Sequence, residues 1–196
     1  MRGFMSDFDI SDEVLIKQFQ NGDIRSFNQI VLRYKDRLIH FVNGFVHDID
    51  KAEDLVQDTF MKLYTHKDSY REIAKFSTWL YTIAGNLART ELRKLKRRKT
   101  YSVSSLSRDD REFIIQGTDD GPSAIHSTES LQRKIKTALV DLSVDFRTMI
   151  ILRDIQELSY DEVSKIMNVP LGTVKSRINR GRLKLQESLR KKGEST

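Results

Sequence analysis

The sequence predicts an all-α protein made of two small helical domains joined by a flexible acidic linker. Three observations predict it. Apolar residues recur at helical spacing along most of the 196 residues, and no stretch alternates convincingly as a strand. Ser102 to Ser123 breaks that rhythm with Ser, Gly and Asp, five acidic residues against two basic, and Pro122, one of only two prolines. A basic block lies on each side of it: seven basic residues and one acidic from Arg89 to Lys99, and eight and one from Lys175 to Lys192.

The elements follow in order. "SDEVLIKQFQ" reads as a short helix with Ser11 or Asp12 as N-cap. "NGD", Asn21 to Asp23, is a turn, and "SFNQIVLRYKDRLIHFVNGFV" is a long amphipathic helix. "HDID" ends it, with Asp50 placed to cap "KAEDLVQDTFMKLYTH". The loop "KDSYREIAK" leads into a second long helix, "FSTWLYTIAGNLARTELRKLKRRK". After the linker, where Phe113 to Ile115 offer three apolar residues for docking, a second helical block starts near Ser127 and runs to about Arg190.

Composition narrows the function. Charged residues make up 32% of the chain and hydrophobic ones 38%, which predicts a soluble protein with a modest core in each lobe. The absence of cysteine removes disulfides and thiolate metal sites. His40, His47, His66 and His126 show no ligand spacing, and no P-loop or H-E-x-x-H occurs, so neither catalysis nor a metal, cofactor or small-molecule substrate is expected. No apolar run reaches bilayer length and the first residues, "MRGFMSDFDISDE", lack a signal peptide's apolar stretch, which predicts a cytoplasmic protein. The net charge of +6 says little until its two blocks are placed on helices.

The second block carries the sharper motif, "LSYDEVSKIMNVPLGTVKSRINRGR". Ser159 with Glu162 three residues on is a capping box. Val163, Ile166 and Met167 form an apolar stripe, and the small Ser164 suits a close helix crossing. Pro170 cannot continue the helix and restricts Val169 before it. Leu171 can plug the corner, Gly172 tolerates the turn, and Thr173 can cap the next helix. On that helix Val174, Ile178, Gly181 and Leu185 share one face, whereas Lys175, Ser176, Asn179, Arg180 and Arg182 point elsewhere. A tight turn followed by a helix with polar and basic residues in its first half is the helix-turn-helix pattern, whose second helix enters the DNA major groove. The plain alternative is a helical hairpin with a charged surface. Leu183 falls on the polar side and fits neither face.

In the first block, Phe76, Trp79, Leu80, Ile83 and Leu87 share one face and read as core. The opposite face carries Thr78, Thr82, Gly85, Asn86, Arg89, Arg93 and Lys96, whose amide, hydroxyls and guanidinia can hold bases and phosphates. Tyr70, in the preceding loop, could stack on an unpaired base.

Together, "AEDLVQDTF", "FSTWLYTIAGNLARTELR" and the helix-turn-helix segment resemble the bacterial extracytoplasmic-function (ECF) sigma factors, over about Asp12 to Arg190. The resemblance implies two helical domains, region two over 12–100 and region four over 127–192, with a linker over 101–126. It implies binding to core RNA polymerase at the β′ clamp helices and the β flap, delivery to promoter DNA, promoter melting and transcription initiation. Thr173, Lys175, Ser176, Arg177, Asn179, Arg180 and Arg182 would then contact the upstream element in duplex form. Tyr70, Thr82, Asn86, Arg89 and Arg93 would contact the opened minus-ten element. Asp54, Gln57, Asp58 and Met61 fall on the outward side of their helix and would dock on polymerase, while Phe60 leans inward as core. Gly85 stands where many relatives carry a basic residue, and Thr90 or Glu91 where they carry Asp. The family also implies an anti-sigma partner, often membrane-anchored, and an acidic linker threaded toward the RNA path. The competing reading is a regulator that binds DNA through its helix-turn-helix without delivering polymerase.

Overall fold

The computed structural model describes residues 10–105, 134–135 and 137–193. Among them there is no strand, residues 134–135 and 137–140 are helical, and the bounded α-helices are α1 (Asp12–Gln20), α2 (Ile24–Val46), α3 (Ile49–Thr65), α4 (Phe76–Ser105), α5 (Val144–Ile150), α6 (Tyr160–Met167) and α7 (Leu171–Gly193). A 3-10 turn, Lys67–Ser69, follows α3, and α5 continues into a single π-helical turn, Ile151–Ile155. The linker segment from Leu106 onward, including Phe113 to Ile115, lies outside the described residues. The four residues Ser102 to Ser105, read as linker, belong to the end of α4.

Local chemistry sets the helix starts. Ser11 caps α1, its Oγ accepting the Val14 N–H at 3.4 Å, with Asp12 and Glu13 at the positive end of the helix dipole. Asp23 caps α2 through the Arg25 N–H at 2.9 Å. The cap of α3 is Asp48, not Asp50. His47 turns into the left-handed region (φ 57), so the extended Asp48 aims its carboxylate back at the Lys51 N–H, 3.0 Å away, and Asp50 lies inside the first turn.

Helices α1 to α4 form the first lobe. Leu15 and Ile16 of α1, Ile30, Leu38 and Phe41 of α2, Leu63 of α3, and Phe76 and Leu80 of α4 are fully buried in it. Edge-on rings tie α2 to α4, with Tyr81 5.2 Å from Phe41 and 6.3 Å from Tyr34. The buried face of α4 is rotated from the one the spacing predicts. Phe76, Leu80, Tyr81, Ala84 and Ala88 are buried, whereas Trp79, Ile83 and Leu87 are only partly so. Two alanines let α4 approach its neighbours closely, and a scheme that weighs bulky residues overlooks them.

The second lobe packs α7 across α5. The approach is close at Gly181, where a Cβ would come within 2.9 Å of Ile150 Cδ1 and 3.3 Å of Phe146 Cβ. Val174 and Ile178 are buried beside it, as the stripe requires. The two lobes do not stand apart. α6 lies along α4, α5 and the π turn lie along α2, and side chains from both lobes merge into one apolar core.

Candidate nucleic-acid interface

The helix-turn-helix is built by local bonds. In the capping box, Glu162 N–H donates to Ser159 Oγ at 3.2 Å and Ser159 N–H donates to Glu162 Oε2 at 2.7 Å. The corner itself is made by Asn168, which closes α6 in the left-handed region (φ 55), a conformation Asn tolerates better than most residues. Ser164 serves the turn, its hydroxyl donating to the Val169 carbonyl at 2.6 Å. Helix α7 starts at Leu171, earlier than predicted, with the Val174 N–H already bonded to Pro170 O at 3.1 Å. Gly172 and Thr173 therefore lie within the helix, and Thr173 is not its cap. Pro170 fits just ahead of the helix because the N–H it lacks would have no intrahelical partner.

On α7, Lys175, Ser176, Asn179 and Arg180 are exposed on one side, at the i, i+1, i+4, i+5 spacing of a single helix face. Thr173 is half-buried at its edge, its carbonyl accepting the Ser176 hydroxyl at 3.0 Å. The other two predicted contacts are engaged within the lobe. Arg177 pairs with Asp145 at 3.0 Å, and Arg182 holds both oxygens of Asp154, at 3.0 and 2.5 Å. The hydrogen-bonded Asp154 carboxylate raises the Arg182 pKa further above its ordinary value. Such exposed pairs are worth only about 0.2–1 kcal/mol, so a phosphate can compete for either guanidinium.

The corresponding face of α4 is partly covered. Asn86 and Arg93 are exposed, with Arg93 donating to Thr90 Oγ1 at 3.3 Å. Thr82 is half-buried and donates to Thr78 O at 2.7 Å. Arg89 reaches under α6, donating through Nη2 to the Ile166 carbonyl at 3.1 Å and to Asn86 Oδ1 at 2.8 Å. Its Nη1 is buried with no hydrogen-bond partner among the described residues. Tyr70, read as a free stacking platform, is not free. It is 8% exposed, packs on Phe76 and Trp79, and donates its O–H to Ala74 O at 2.9 Å, so it shapes the loop from inside. The tip of that loop is Ile73, 88% exposed.

On α3, Asp54, Gln57, Asp58 and Met61 all face solvent, and Phe60 is buried, as the pattern predicts. Asp54, Gln57 and Asp58 line a groove of about 380 Å³ between α3 and α4, opposite Thr90, Glu91 and Lys94.

The residues that hold the lobes together were not legible as functional. Arg147 is the chief one. Its guanidinium donates to the carbonyls of Leu139 (2.6 Å), Val140 (2.6 Å) and Leu142 (2.5 Å) in its own lobe. Across the gap it reaches Gly44 O at 3.0 Å and a ring nitrogen of His47. Burial pulls its pKa down to about 10, which leaves it charged at neutral pH. Burial first, and the facing Arg147 second, pull the His47 pKa down to about 4, so the imidazole is neutral and accepts the guanidinium's hydrogen bond. Tyr81 O–H donates to Gln156 Oε1 at 2.8 Å, and Thr78 O–H to Glu162 Oε1 at 3.3 Å. Lys75 pairs with the same Glu162 oxygen at 3.3 Å. Burial alone would raise the Glu162 pKa, but hydrogen bonds from Ser159 and Lys75 outweigh it and hold the carboxyl below its ordinary value. The one sequence signal for any of this was an arginine inside the apolar run "VDFRTMIIL".

Two helical lobes, one with an exposed basic row on α7 and the other with a long basic helix beside an acidic face on α3, define the class of a helix-turn-helix DNA-binding protein. Comparison with known proteins supplies the family. Residues 30–98 match Sigma-70 region 2 and residues 132–185 match Sigma-70, region 4. The chain is 37% identical over 178 residues to the ECF RNA polymerase sigma factor SigW of Bacillus subtilis, covering 89% of this chain and 95% of that one. It is 33% identical over 187 residues to the RNA polymerase sigma-H factor of Pseudomonas aeruginosa, covering 91% and 93%. The solved structure of the sigma factor RpoE in complex with the anti-sigma factor NepR, from Bartonella quintana, superposes with a TM-score of 0.68. It shares 32% identity and covers 85% of this chain and 98% of that one. The chain belongs to the ECF RNA polymerase sigma factors, which act in promoter recognition and transcription initiation.

Proposed function

We propose that the chain carries core RNA polymerase to promoters, with separate faces for polymerase, duplex and opened strand. The first lobe, 12–100, docks on the β′ clamp helices with Asp54, Gln57, Asp58 and Met61, and the second, 127–192, meets the β flap. The segment 101–126 connects them, with α4 lending it a helical start as far as Ser105. Helix α7 reads the upstream element as duplex. Arg180 and Lys175 suit guanine edges or phosphates, Asn179 suits adenine, and Ser176 can bond either. Arg177 and Arg182 exchange their carboxylates for phosphates on binding.

The first lobe holds the opened minus-ten strand. A base out of the stack costs about a few kcal/mol. Asn86 offsets this with hydrogen bonds to the base edge, and Arg89 and Arg93 with phosphate contacts. Tyr70 holds the loop in shape from beneath. The work is binding throughout, with no bond made or broken by this chain. Such work belongs in the cytoplasm, where polymerase and DNA are. Among the described residues no helix is long and apolar enough to cross a membrane. The complex of the RpoE neighbour with NepR supports an anti-sigma partner here too.

The observation that carries the reading is the exposed row Lys175, Ser176, Asn179, Arg180 on a lobe separate from the acidic face of α3. Run-off transcription with purified core polymerase on a promoter library tests it. Initiation at a discrete set of promoters is the expected outcome. Duplex binding without association to core polymerase would instead favour the simple regulator.

A further inference from the structure

Leu183 is 60% exposed on α7. Single exposed apolar residues are common and by themselves say nothing. The position of this one says more. At about 100° per residue, Leu183 stands about 180° around the helix from the buried Val174, about 20° from Ser176 and about 40° from Asn179. The exposed row Lys175, Ser176, Asn179, Arg180 therefore runs on into Leu183, three residues and about 4.5 Å past Arg180. The cations on either side of it turn back onto the lobe. Arg182 holds both oxygens of Asp154, and the Lys184 ammonium sits 6.0 Å from the centre of the Phe146 ring. Glu187, four residues further along the same face, is acidic and pairs with Lys191 at 2.9 Å, so the surface that favours DNA ends just past Leu183. A docking patch for another protein needs contiguous apolar area, and among the described residues no other large apolar residue of α7 is exposed. A lone branched side chain suits a lone methyl. The major groove offers one, the C5-methyl of thymine.

We propose that Leu183 reads a thymine methyl in the upstream element, beside the base pair that Arg180 reads. The inference rests on the assignment of α7 to duplex reading. Within that row, Lys175, Ser176, Asn179 and Arg180 supply hydrogen bonds to base edges. Leu183 adds the apolar contact that separates thymine from cytosine, which lacks the methyl. Stacked base pairs lie about 3.4 Å apart, so the step of about 4.5 Å from Arg180 to Leu183 moves the contact about one base pair along. Both partners shed water from apolar surface when they meet, and that is the source of the preference.

Deoxyuridine tests this directly, since it pairs as thymidine does and lacks only that methyl. The full chain, alone and bound to core polymerase, selects duplexes from a randomised pool. The selected duplexes are then remade with deoxyuridine in place of each upstream thymidine in turn. At one position, about one base pair from the position at which Arg180→Ala relaxes selectivity, the replacement should weaken binding about fourfold, as expected for one buried methyl. Leu183→Ala should bind the two forms of that duplex equally, whereas Leu183→Met, which keeps an apolar tip, should still prefer thymidine. Both variants should unfold like the parent, because Leu183 is exposed. Equal binding of both forms by the parent at every upstream position overturns the proposal, and so does a Leu183→Ala chain that keeps the parent's preference. Failure of the functional assignment looks different. If Arg180→Ala relaxes selectivity while no position distinguishes thymidine from deoxyuridine, α7 reads duplex and Leu183 does not. If the free chain shows the Leu183-dependent preference but never associates with core polymerase, the methyl contact stands and the delivery of polymerase falls. A chain that selects no duplex, alone or with polymerase, loses both.

Discussion

The face of α7 proposed to read the upstream element and the side of α4 proposed to hold the strand have similar chemistry and opposite states. Both are basic helices with an Asn and Arg residues at helical spacing. On α7 the row Lys175, Ser176, Asn179, Arg180 is exposed, and the flanking Arg177 and Arg182 are parked on Asp145 and Asp154. On α4 Asn86, Arg93 and Lys96 look outward, and Arg89 is bound beneath the other lobe. The difference is one of preparation. The row on α7 is open as it stands, whereas α6 covers Arg89 on α4.

The largest effect should come from removing the fastener. Arg147→Leu abandons carbonyls in both lobes, and hydrogen bonds from charged donors are worth about 1.5–3 kcal/mol each. A loss of about 3 kcal/mol or more in urea unfolding is expected. Arg147→Lys should restore only part of it, because an ammonium lacks the fork that spans several carbonyls. If Arg147→Leu unfolds like the parent, the lobes are held by their apolar contacts alone.

Next come the two reading faces themselves. Arg180→Ala should cost about 1–3 kcal/mol at one upstream position and relax selectivity there, leaving others unchanged. Unaltered selectivity at every position would move Arg180 from base reading to phosphate contact. Asn86→Ala should spare duplex binding and impair opening, read as reduced permanganate reactivity of thymines in the minus-ten element. Normal reactivity would remove Asn86 from strand capture. The pair sharpens the comparison, since one change should act on duplex and the other only on melted DNA.

A smaller effect should follow pH. His47 has a pKa of about 4 in the folded chain and about 6.5 unfolded, so the unfolded state binds more protons between those values. Stability is therefore full above about pH 6.5 and falls as pH drops toward 4. His47 is half-exposed, which limits the loss to about 1 kcal/mol. Its replacement by Gln should flatten this part of the pH–stability curve. An unchanged slope in His47→Gln would show that the imidazole does not sense Arg147.

How much of this was legible follows from where the information sits. The helix-turn-helix was readable because caps and turns are local: Ser159 with Glu162, and Pro170 after the apolar stripe, act within a few residues. Even so, the corner fell to Asn168 and not Gly172, since a helix can close on a left-handed Asn and start again directly after a proline. The buried side of α4 was misjudged because Ala84 and Ala88 carry little hydrophobic weight yet permit the closest packing. Tyr70 was misjudged because a loop aromatic looks exposed until Phe76 and Trp79 fold over it. The lobe contact was out of reach altogether. It depends on Gly44 and Arg147, far apart in sequence, and neither belongs to a motif.

The smallest expected effect bears most directly on the readiness of α7. Asp154→Asn removes the carboxylate that parks Arg182. The pair is exposed, so stability should fall by less than about 1 kcal/mol. What changes is the electrostatics of DNA binding. A freed guanidinium adds one phosphate contact without first breaking an ion pair, so affinity for duplex should rise at low salt. The slope of log affinity against log salt should steepen by about one unit, as one more counterion leaves the DNA. Arg182→Ala should cancel this gain and leave the row from Lys175 to Arg180 as it was. If Asp154→Asn changes neither affinity nor slope, Arg182 never reaches the backbone, and the basic part of the duplex-reading face of α7 ends at Arg180.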